Sequence, residues 1–406
     1  MARLSQKIIV MGLGYIGLPT ASMLATKGHQ VLGVDVNESA VAIINSGRIH
    51  IIEPDLDILV RSAVNSGNLK ASTTPEEGDT FIIAVPTPFK EVDGNPKAPD
   101  LSCVASAAHA IVPYLREGNL VILESTSPVG TTEFIYKTIV EARPELVGKI
   151  NCAHCPERVL PGHILRELVD NDRIVGGLNK AANEQAKELY KSFCNGAILL
   201  TDSKTAELSK LVENSFRDVN IAFANELSVI CDHLGINVWE TIALANRHPR
   251  VNILQPGPGV GGHCIAVDPW FIVSSAPEQA KLIKTAREVN DAKPHWVIDK
   301  VKAKAARFKE PVIGCLGITF KANIDDMRES PSLDIVKDLI NQNVGKILVC
   351  DPNVQASKVS FPLVDLKQLL KEADILLLLV DHTEFKEIDL DIIKDKVVID
   401  TRGVLR

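Results

Sequence analysis

The sequence predicts an α/β chain: two parallel-sheet domains joined by a long helix. Three observations predict it. Short β-branched runs alternate with helical periodicity from Lys7 to Cys155, the pattern of a sheet buried on both faces. The same alternation returns from Pro311 to the end, and between the two Ser203 to Gly235 keeps a helical period with no internal Gly or Pro. At 406 residues the chain also exceeds one usual core.

The first element is Lys7 to Met11 (KIIVM), followed at once by Gly12-Leu13-Gly14-Tyr15-Ile16-Gly17 and a helical pattern through Ala25. A second strand, Gln30 to Val34, ends at Asp35, eighteen residues after the third glycine. A GxGxxG alone is a common turn. Strand, glycines, helix, strand and terminal acid in this order form a Rossmann-like dinucleotide fingerprint. Gly12, Gly14 and Gly17 permit the tight turn and bring a pyrophosphate onto a helix N-terminus, beside Tyr15 and Ile16. Asp35 accepts from the adenosine ribose and repels a 2′-phosphate, so NAD is expected rather than NADP.

Later strands end in polar residues, at the edge where open α/β sheets bind ligands. Thr80 to Val85 runs into Pro86-Thr87-Pro88, and Leu120 to Glu124 into Ser125-Thr126-Ser127-Pro128-Val129-Gly130-Thr131. Thr87 and Thr126 are candidates for the nicotinamide side; each is equally readable as a turn or cap residue. Ile150 to Cys155 opens onto Pro156-Glu157-Arg158-Val159-Leu160-Pro161-Gly162, where Glu157 and Arg158 are the polar candidates.

The helix from Ser203 to Gly235 would span ~45–50 Å. Glu207, Lys210, Asn214 and Arg217 recur at three- and four-residue steps and share a face. Composition alone reads that face as solvated. Beyond it, Asn246-Arg247-His248-Pro249-Arg250 leads to Pro256–Phe271, PGPGVGGHCIAVDPWF. The basic residues suit a phosphorylated substrate as well as a surface loop. Gly257, Gly259, Gly261 and Gly262 allow close approach of another molecule, and Cys264 with Asp268 reads as an activated nucleophile with a polar partner. A turn carrying a buried cysteine is the competing reading.

The last domain begins at Pro311 to Gly317 (PVIGCLG), and Lys346 to Cys350 ends at Asp351. This repeats the opening strand–glycine–strand–acid order without GxGxxG, so a smaller nucleotide-binding α/β domain is expected. Ala373 to Val380 and Lys396 to Asp400 supply further buried strands, and the loop between its first strand and helix carries Phe320, Lys321 and Arg328.

Composition excludes other classes. A net charge of −7, from 44 basic and 51 acidic residues, speaks against general nucleic-acid binding. The longest apolar runs, such as Ile375 to Val380, are too short to span a bilayer. The N-terminal apolar run leads directly into the glycine motif with no cleavage region, so cytoplasmic residence with eight dispersed, reduced cysteines is expected. Cys152 and Cys155 form a lone CxxC without a second pair at zinc spacing, and no metal site is expected.

Taken together, these residues resemble the UDP-glucose/GDP-mannose dehydrogenase family, the nucleotide-sugar 6-dehydrogenases. The resemblance covers essentially the whole chain: the GxGxxG with Asp35, STSPVGTT, Glu157, Lys210 with Asn214, the glycine loop with Cys264 and Asp268, and FKANIDDMRESP. It implies a NAD-binding Rossmann domain over 1–200, a central helical dimerisation domain with the cysteine loop over 201–300, and a UDP-sugar-binding domain over 301–406. It also implies a four-electron oxidation of a sugar C6 alcohol to a carboxylate, using two NAD+. Lys210, or a water held by Lys210 and Asp268, is then the base; Cys264 carries the thiohemiacetal and thioester. Lys210 and Asn214 stabilise the oxyanion, while Glu157 and Asp268 orient the hydrolytic water with help from Thr126. Arg158, Val159, Lys210, Asn214, Arg217, His248, Arg250, Gly261, Phe320 and Lys321 meet the nucleotide sugar, and Arg328 meets NAD. A homodimer or higher homo-oligomer follows, with Arg250 supplied by the partner.

PERVLPG and PGPGVGGHCIAVDPWF resemble the branch acting on UDP-N-acetylhexosamines. The UDP-glucose branch has a second glutamate four residues after the Glu157 position; here Pro161 stands there. UDP-N-acetyl-D-mannosamine is the expected substrate, with UDP-N-acetylglucosamine or another UDP-hexose as the alternative. A one-step 3-hydroxyacid dehydrogenase has no need of Cys264, and a non-catalytic NAD sensor has no reason to carry Lys210, Asn214, Cys264 and Asp268 together.

Overall fold

The computed structural model describes residues 5–92, 95–160, 162–262 and 264–405, without the side chains of 91, 92, 95 and 96; Pro161 and His263 lie outside the described residues. The chain divides into two compact units, Met1–Val212 and Glu213–Arg406, with the cut inside the long helix.

The first unit is an eight-stranded sheet in the order β10-β9-β8-β7-β4-β1-β2-β3. Its strands are β1 (Lys7–Met11), β2 (Gln30–Val34), β3 (Leu69–Ser72), β4 (Thr80–Ile83), β7 (Leu120–Leu123), β8 (Asn151–His154), β9 (Arg173–Gly177) and β10 (Ile198–Asp202). A separate antiparallel hairpin joins β5 (Phe89–Val92) to β6 (Asn95–Pro99). β1 shows why its strand forms. Ile8 and Val10 enter one hydrophobic cluster and Ile9 and Met11 another, as a period of two requires when both faces are covered. From β1 the chain builds outward through β2 and β3, then returns to β4 on the other side. That reversal places the end of β1 at a switch point of the sheet. All pairs are parallel except β8 with β9, where Ala153 faces Gly177 and His154 faces Gly176.

The helix Ser203–Leu234 follows β10. It ends at Gly235 (φ +69°), with the Ile236 amide donating to Cys231 O at 2.8 Å and the Gly235 amide to Asp232 O at 3.3 Å, a glycine-closed C-terminus. The predicted span therefore holds to within one residue.

The second unit carries a four-stranded, wholly parallel sheet, β12-β11-β13-β14, made of β11 (Val312–Leu316), β12 (Lys346–Cys350), β13 (Ile375–Leu378) and β14 (Val397–Asp400). The sequence echo between the two sheets is a structural one. Gly12 (φ +91°) donates to Val34 O at 2.7 Å, and Gly317 (φ +89°) to Cys350 O at 2.9 Å. Asp35 accepts from the Leu13 and Asn37 amides, both at 2.9 Å. Asp351 accepts from the Ile318 amide at 2.8 Å and the Asn353 amide at 2.9 Å. Each sheet thus pins its first loop to its second strand with the same brace.

Within this unit the long helix packs on Lys281–Ala305 through buried charge. Arg287, fully buried, donates to Asp218 at 2.6 Å and also pairs with Asp291. Asn290 adds a donor to Asp218 at 2.8 Å. Burial holds the Asp218 carboxyl above its ordinary range despite Arg287, so removing the cation would leave a charge stranded in the interior. Arg287→Ala is expected to cost about 3–5 kcal/mol in urea unfolding; a loss below about 1 kcal/mol would show that the pair carries little of the packing.

Candidate active site

In the first unit, three glycines open the loop after β1, and they do different work. A Cβ on Gly12 would lie 2.7 Å from Ala84 O, and one on Gly17 would lie 1.8 Å from Gly12 O. Both are required for the loop to close. Gly14 is not: it is exposed, its φ is not positive, and nothing lies within 4 Å of the point its Cβ would occupy. No intramolecular packing accounts for a glycine there; backbone contact with a pyrophosphate would. Tyr15 and Ile16 flank it before the helix Gly17–Thr26, whose N-terminus suits an anion. Asp35, half-buried, spends one lone pair of each oxygen on its own loop, and a carboxylate has further acceptor sites for a ribose diol. The loop therefore fits NAD.

The same sheet edge carries the other strand-end candidates. Thr87 donates to Thr126 O at 2.6 Å, so these two are joined. Glu157 is buried and doubly held: its Oε1 accepts from the Arg158 amide at 2.8 Å, and its Oε2 from Arg173 at 2.7 Å. Arg158 and Val159 are half-buried, and the Arg158 guanidinium donates to Asp172 O.

The face of the long helix that composition would read as solvated is graded from buried to exposed. Glu207 is fully buried; its carboxylate accepts from the Gly130 amide (2.6 Å), the Thr132 amide (2.7 Å) and the Thr132 hydroxyl (2.6 Å). It caps the helix Thr131–Ala142 and so fixes the Thr126 loop. Lys210, one turn on, is half-buried. Burial holds neighbouring His154 neutral, at about 3, with the Lys210 charge pushing the same way. Asn214 is buried and Arg217 exposed.

In the second unit, Asn214 donates to Asp268 at 2.6 Å. Asp268 opens the helix Asp268–Ser275, and its amide donates to Cys264 O at 2.9 Å. Cys264 is therefore delivered by a tight turn tied to the long helix, and it alone among the eight cysteines is exposed. Burial pushes Cys152, Cys315 and Cys350 up to about 12, and Cys155 higher still; those thiols are inert at neutral pH. The reading of a buried structural cysteine at 264 does not hold. Gly261 has a packing reason, since its Cβ would lie 2.2 Å from Glu329 O. Phe320 is half-buried; Lys321, Arg328, His248 and Arg250 are exposed, with Arg328 bonded to Asp326 at 2.6 and 2.9 Å.

Sequence reasoning missed Glu124, Arg173 and Tyr190, which lie buried behind Glu157. The available signal was Arg173 at the head of an otherwise apolar strand, RIVGG.

The glycine loop yields a direct test. Gly14→Ala is expected to leave stability within about 0.5 kcal/mol and to weaken NAD+ binding at least about tenfold. Gly17→Ala is expected to lose about 1–3 kcal/mol or more of stability. Thermal melts and calorimetric NAD+ titration measure both; equal destabilisation by the two would remove the distinction.

Comparison with known proteins agrees with this geometry. Residues 6–194 match the NAD-binding domain of the UDP-glucose/GDP-mannose dehydrogenase family, residues 204–292 its central domain and residues 314–406 its UDP-binding domain. The chain is 59% identical to an NDP-N-acetyl-D-galactosaminuronic acid dehydrogenase of Ralstonia nicotianae, over 98% of this chain and 96% of that one. It is 57% identical to the UDP-N-acetyl-D-mannosamine dehydrogenase of Campylobacter jejuni, over 95% and 97%. Among solved structures, the UDP-N-acetyl-mannosamine dehydrogenase Cap5O of Staphylococcus aureus superposes with a TM-score of 0.87 at 45% identity, covering 98% of this chain and 96% of that one. The chain belongs to the UDP-glucose/GDP-mannose dehydrogenase family and is an NAD-dependent nucleotide-sugar oxidoreductase.

Proposed function

We propose that the protein oxidises the C6 hydroxyl of UDP-N-acetyl-D-mannosamine to the carboxylate, through a thioester on Cys264. The observation that carries this reading is the exposed Cys264 on a turn whose far end, Asp268, is fixed to Asn214. Bound NAD+ supplies a hydride acceptor for each of the two oxidations, and the chain's residues do the rest. Lys210, directly or through a water shared with Asp268, takes the hydroxyl proton as the aldehyde forms. The Cys264 sulfur adds to the aldehyde carbon, and its thiol proton passes to the new hydroxyl group. The second oxidation leaves the acyl group on sulfur. Water then adds to the acyl carbon, the C–S bond breaks, and carboxylate, thiol and one proton result. Lys210 and Asn214 are suited to donate to the oxyanion; an amide has two N–H donors, of which Asp268 takes one. One such donor is typically worth about 3–4 kcal/mol. Glu157 and Asp268 orient the water, with Thr126 assisting.

For the nucleotide sugar the reading assigns Arg158, Val159, Arg217, His248, Arg250, Gly261, Phe320 and Lys321, and for the cofactor Thr87 and Arg328 as well as the glycine loop. The N-acetylmannosamine assignment draws on the Campylobacter and Staphylococcus relatives. The Ralstonia relative at 59% identity supports N-acetylgalactosamine as a second reading of the sugar. Cytoplasmic action is part of the proposal; among the described residues no helix is long and apolar enough to cross a membrane.

We also propose a homodimer, with residues 201–300 as the pairing region. On the long helix Leu208, Val212, Phe216, Phe223, Ile230 and Leu234 are all exposed, Phe216 at 70% and Phe223 at 58%. Their steps of four and seven residues make one apolar stripe, of a kind that marks an interaction surface.

Three experiments test these proposals. Purified enzyme offered UDP-N-acetylmannosamine, UDP-N-acetylgalactosamine, UDP-N-acetylglucosamine and UDP-glucose separately should release two NADH per mannosamine sugar consumed. Two with another sugar would correct the substrate; one would defeat the thioester route. Cys264→Ser should form no acid yet bind NAD+ normally. By light scattering, Phe216→Glu with Phe223→Glu should turn a dimer into a monomer, and an unchanged mass would place the interface elsewhere.

A further inference from the structure

Behind Glu157 lies a buried group of side chains that the mechanism above does not use. β7 and β8 are parallel, so Glu124 and Glu157 follow their carboxyl ends at one edge of the sheet. β9 runs antiparallel to β8, with His154 opposite Gly176. An antiparallel strand begins where its neighbours end, so Arg173, the first residue of β9, comes to that same edge. Its guanidinium donates to Glu157 Oε2 at 2.7 Å and lies 3.9 Å from Glu124 Oε1. It stacks 4.3 Å from the centre of the Tyr190 ring, and the Tyr190 hydroxyl donates to Glu124 Oε1 at 2.6 Å. Arg173 is 4% exposed and Glu124 1%. Glu124 Oε2 and two nitrogens of Arg173 have no hydrogen-bond partner.

From this geometry we infer that Arg173 is a positioning residue for Glu157, and that Glu124 is the second carboxyl of a pair sharing that one guanidinium. The inference rests on the assignment of Glu157 to the hydrolytic water. Two carboxylates against one cation leave an excess negative charge in a buried cluster, which a single proton relieves. The shorter guanidinium bond and the Arg158 amide both go to Glu157, so the shared proton is assigned to Glu124. Burial pushes Glu124 up to about 7, against the pull of Arg173 and with the push of Glu157. The other groups facing it are the Tyr190 hydroxyl, the Cys155 thiol and the Thr20 hydroxyl. In the hydrolytic step one water proton passes to Glu157 while the hydroxyl adds to the acyl carbon. The electron pair of the C–S bond stays on Cys264 sulfur, which takes the acid's proton, and Glu157 then releases its proton to solvent. Arg173 holds the Glu157 carboxylate in place to accept that proton.

The test is the pH dependence of acid formation in the full-length enzyme. Arg173→Met removes the shared cation, so the acid limb of kcat should move up by at least about one pH unit, with the sugar KM unchanged. Adding Glu124→Gln removes the neighbouring carboxyl, and the limb should move back by about half or more. A purely structural role predicts loss at every pH and no recovery in the double variant, and either result overturns the inference. Infrared difference spectra of the wild type provide a measurement that needs no Arg173 variant. A protonated-carboxyl band at about pH 6 should fade by about pH 8 and be missing in Glu124→Gln; an identical band in that variant overturns the shared pair. Glu157→Gln is run alongside, and undiminished acid formation in it would defeat the assignment of Glu157 itself, and with it this inference.

Discussion

The interaction on which the site depends is the hydrogen bonding of irregular backbone by polar side chains of one helix. Segments that carry functional groups cannot satisfy their own N–H and C=O groups, and buried backbone must find partners elsewhere. The helix Ser203–Leu234 supplies them. Glu207 takes the two amides at the head of the Thr131–Ala142 helix. Asn214 holds Asp268 at the end of the cysteine loop, and Asn225 accepts from the Gly257 amide near its beginning at 2.8 Å. Asn214 and Asn225 are eleven residues apart, about three turns of helix, and therefore on one face. The twelve-residue stretch from Gly257 to Asp268 is thus clamped near both ends by one helix. Asp218 between the clamps takes Arg287 and Asn290, and Asn290 in turn accepts from Asn225. A loop with four glycines would otherwise lose its geometry to backbone entropy; here that entropy is removed at a few defined points.

A second constraint recurs in both units. The Asp35 and Asp351 carboxylates each bridge two amides of their own sheet's edge, and each brace sets a left-handed glycine against the end of the second strand. The two loops diverge after the brace. The first continues to an open Gly14. In the second the corresponding place is Thr319, fully buried and bonded to Lys321 O at 2.9 Å and His382 at 3.3 Å, while His382 also meets Asp351 at 3.2 Å. The backbone approach that suits a pyrophosphate in the first loop is filled by side chains in the second. This is the physical counterpart of a strand–glycine–strand–acid order without GxGxxG.

What the sequence made legible follows from the range of the forces involved. Buried parallel strands, glycine turns and a capped helix are written in neighbouring residues, so β1, β2, β12 and the long helix were readable nearly to the residue. Strand direction is not local. Nothing in RIVGG shows that β9 runs antiparallel, because the ladder partner lies some twenty residues upstream in β8. For that reason Arg173 at the head of RIVGG marks an unusual charge on an apolar strand, but not that it returns to the edge holding Glu157. The buried pairing of Asn214 with Asp268 was hidden in the same way: the two are 54 residues apart. The spacing of Glu207, Lys210, Asn214 and Arg217 gave their common face, but only packing decides which of them is buried.

The groups assigned to chemistry under the proposed function differ in their setting from the groups assigned to the substrate. In the first unit Thr126 and Glu157, and in the second Asn214 and Asp268, are fixed by hydrogen bonds to neighbouring elements, as the proposed chemistry requires. Arg217, His248, Arg250 and Lys321 are exposed on helix and loop positions, where charge attracts a diphosphate but little fixes its geometry in advance. Cys264, the proposed nucleophile, is exposed, yet it is fed by a turn whose far end is fixed. The proposed brace behind Glu157 is the most buried form of such fixing: Arg173, 4% exposed, donates to Glu157 and lies beside Glu124, 1% exposed. One guanidinium between two buried carboxyls leaves an excess negative charge that one proton relieves, and burial favours Glu124 as its holder.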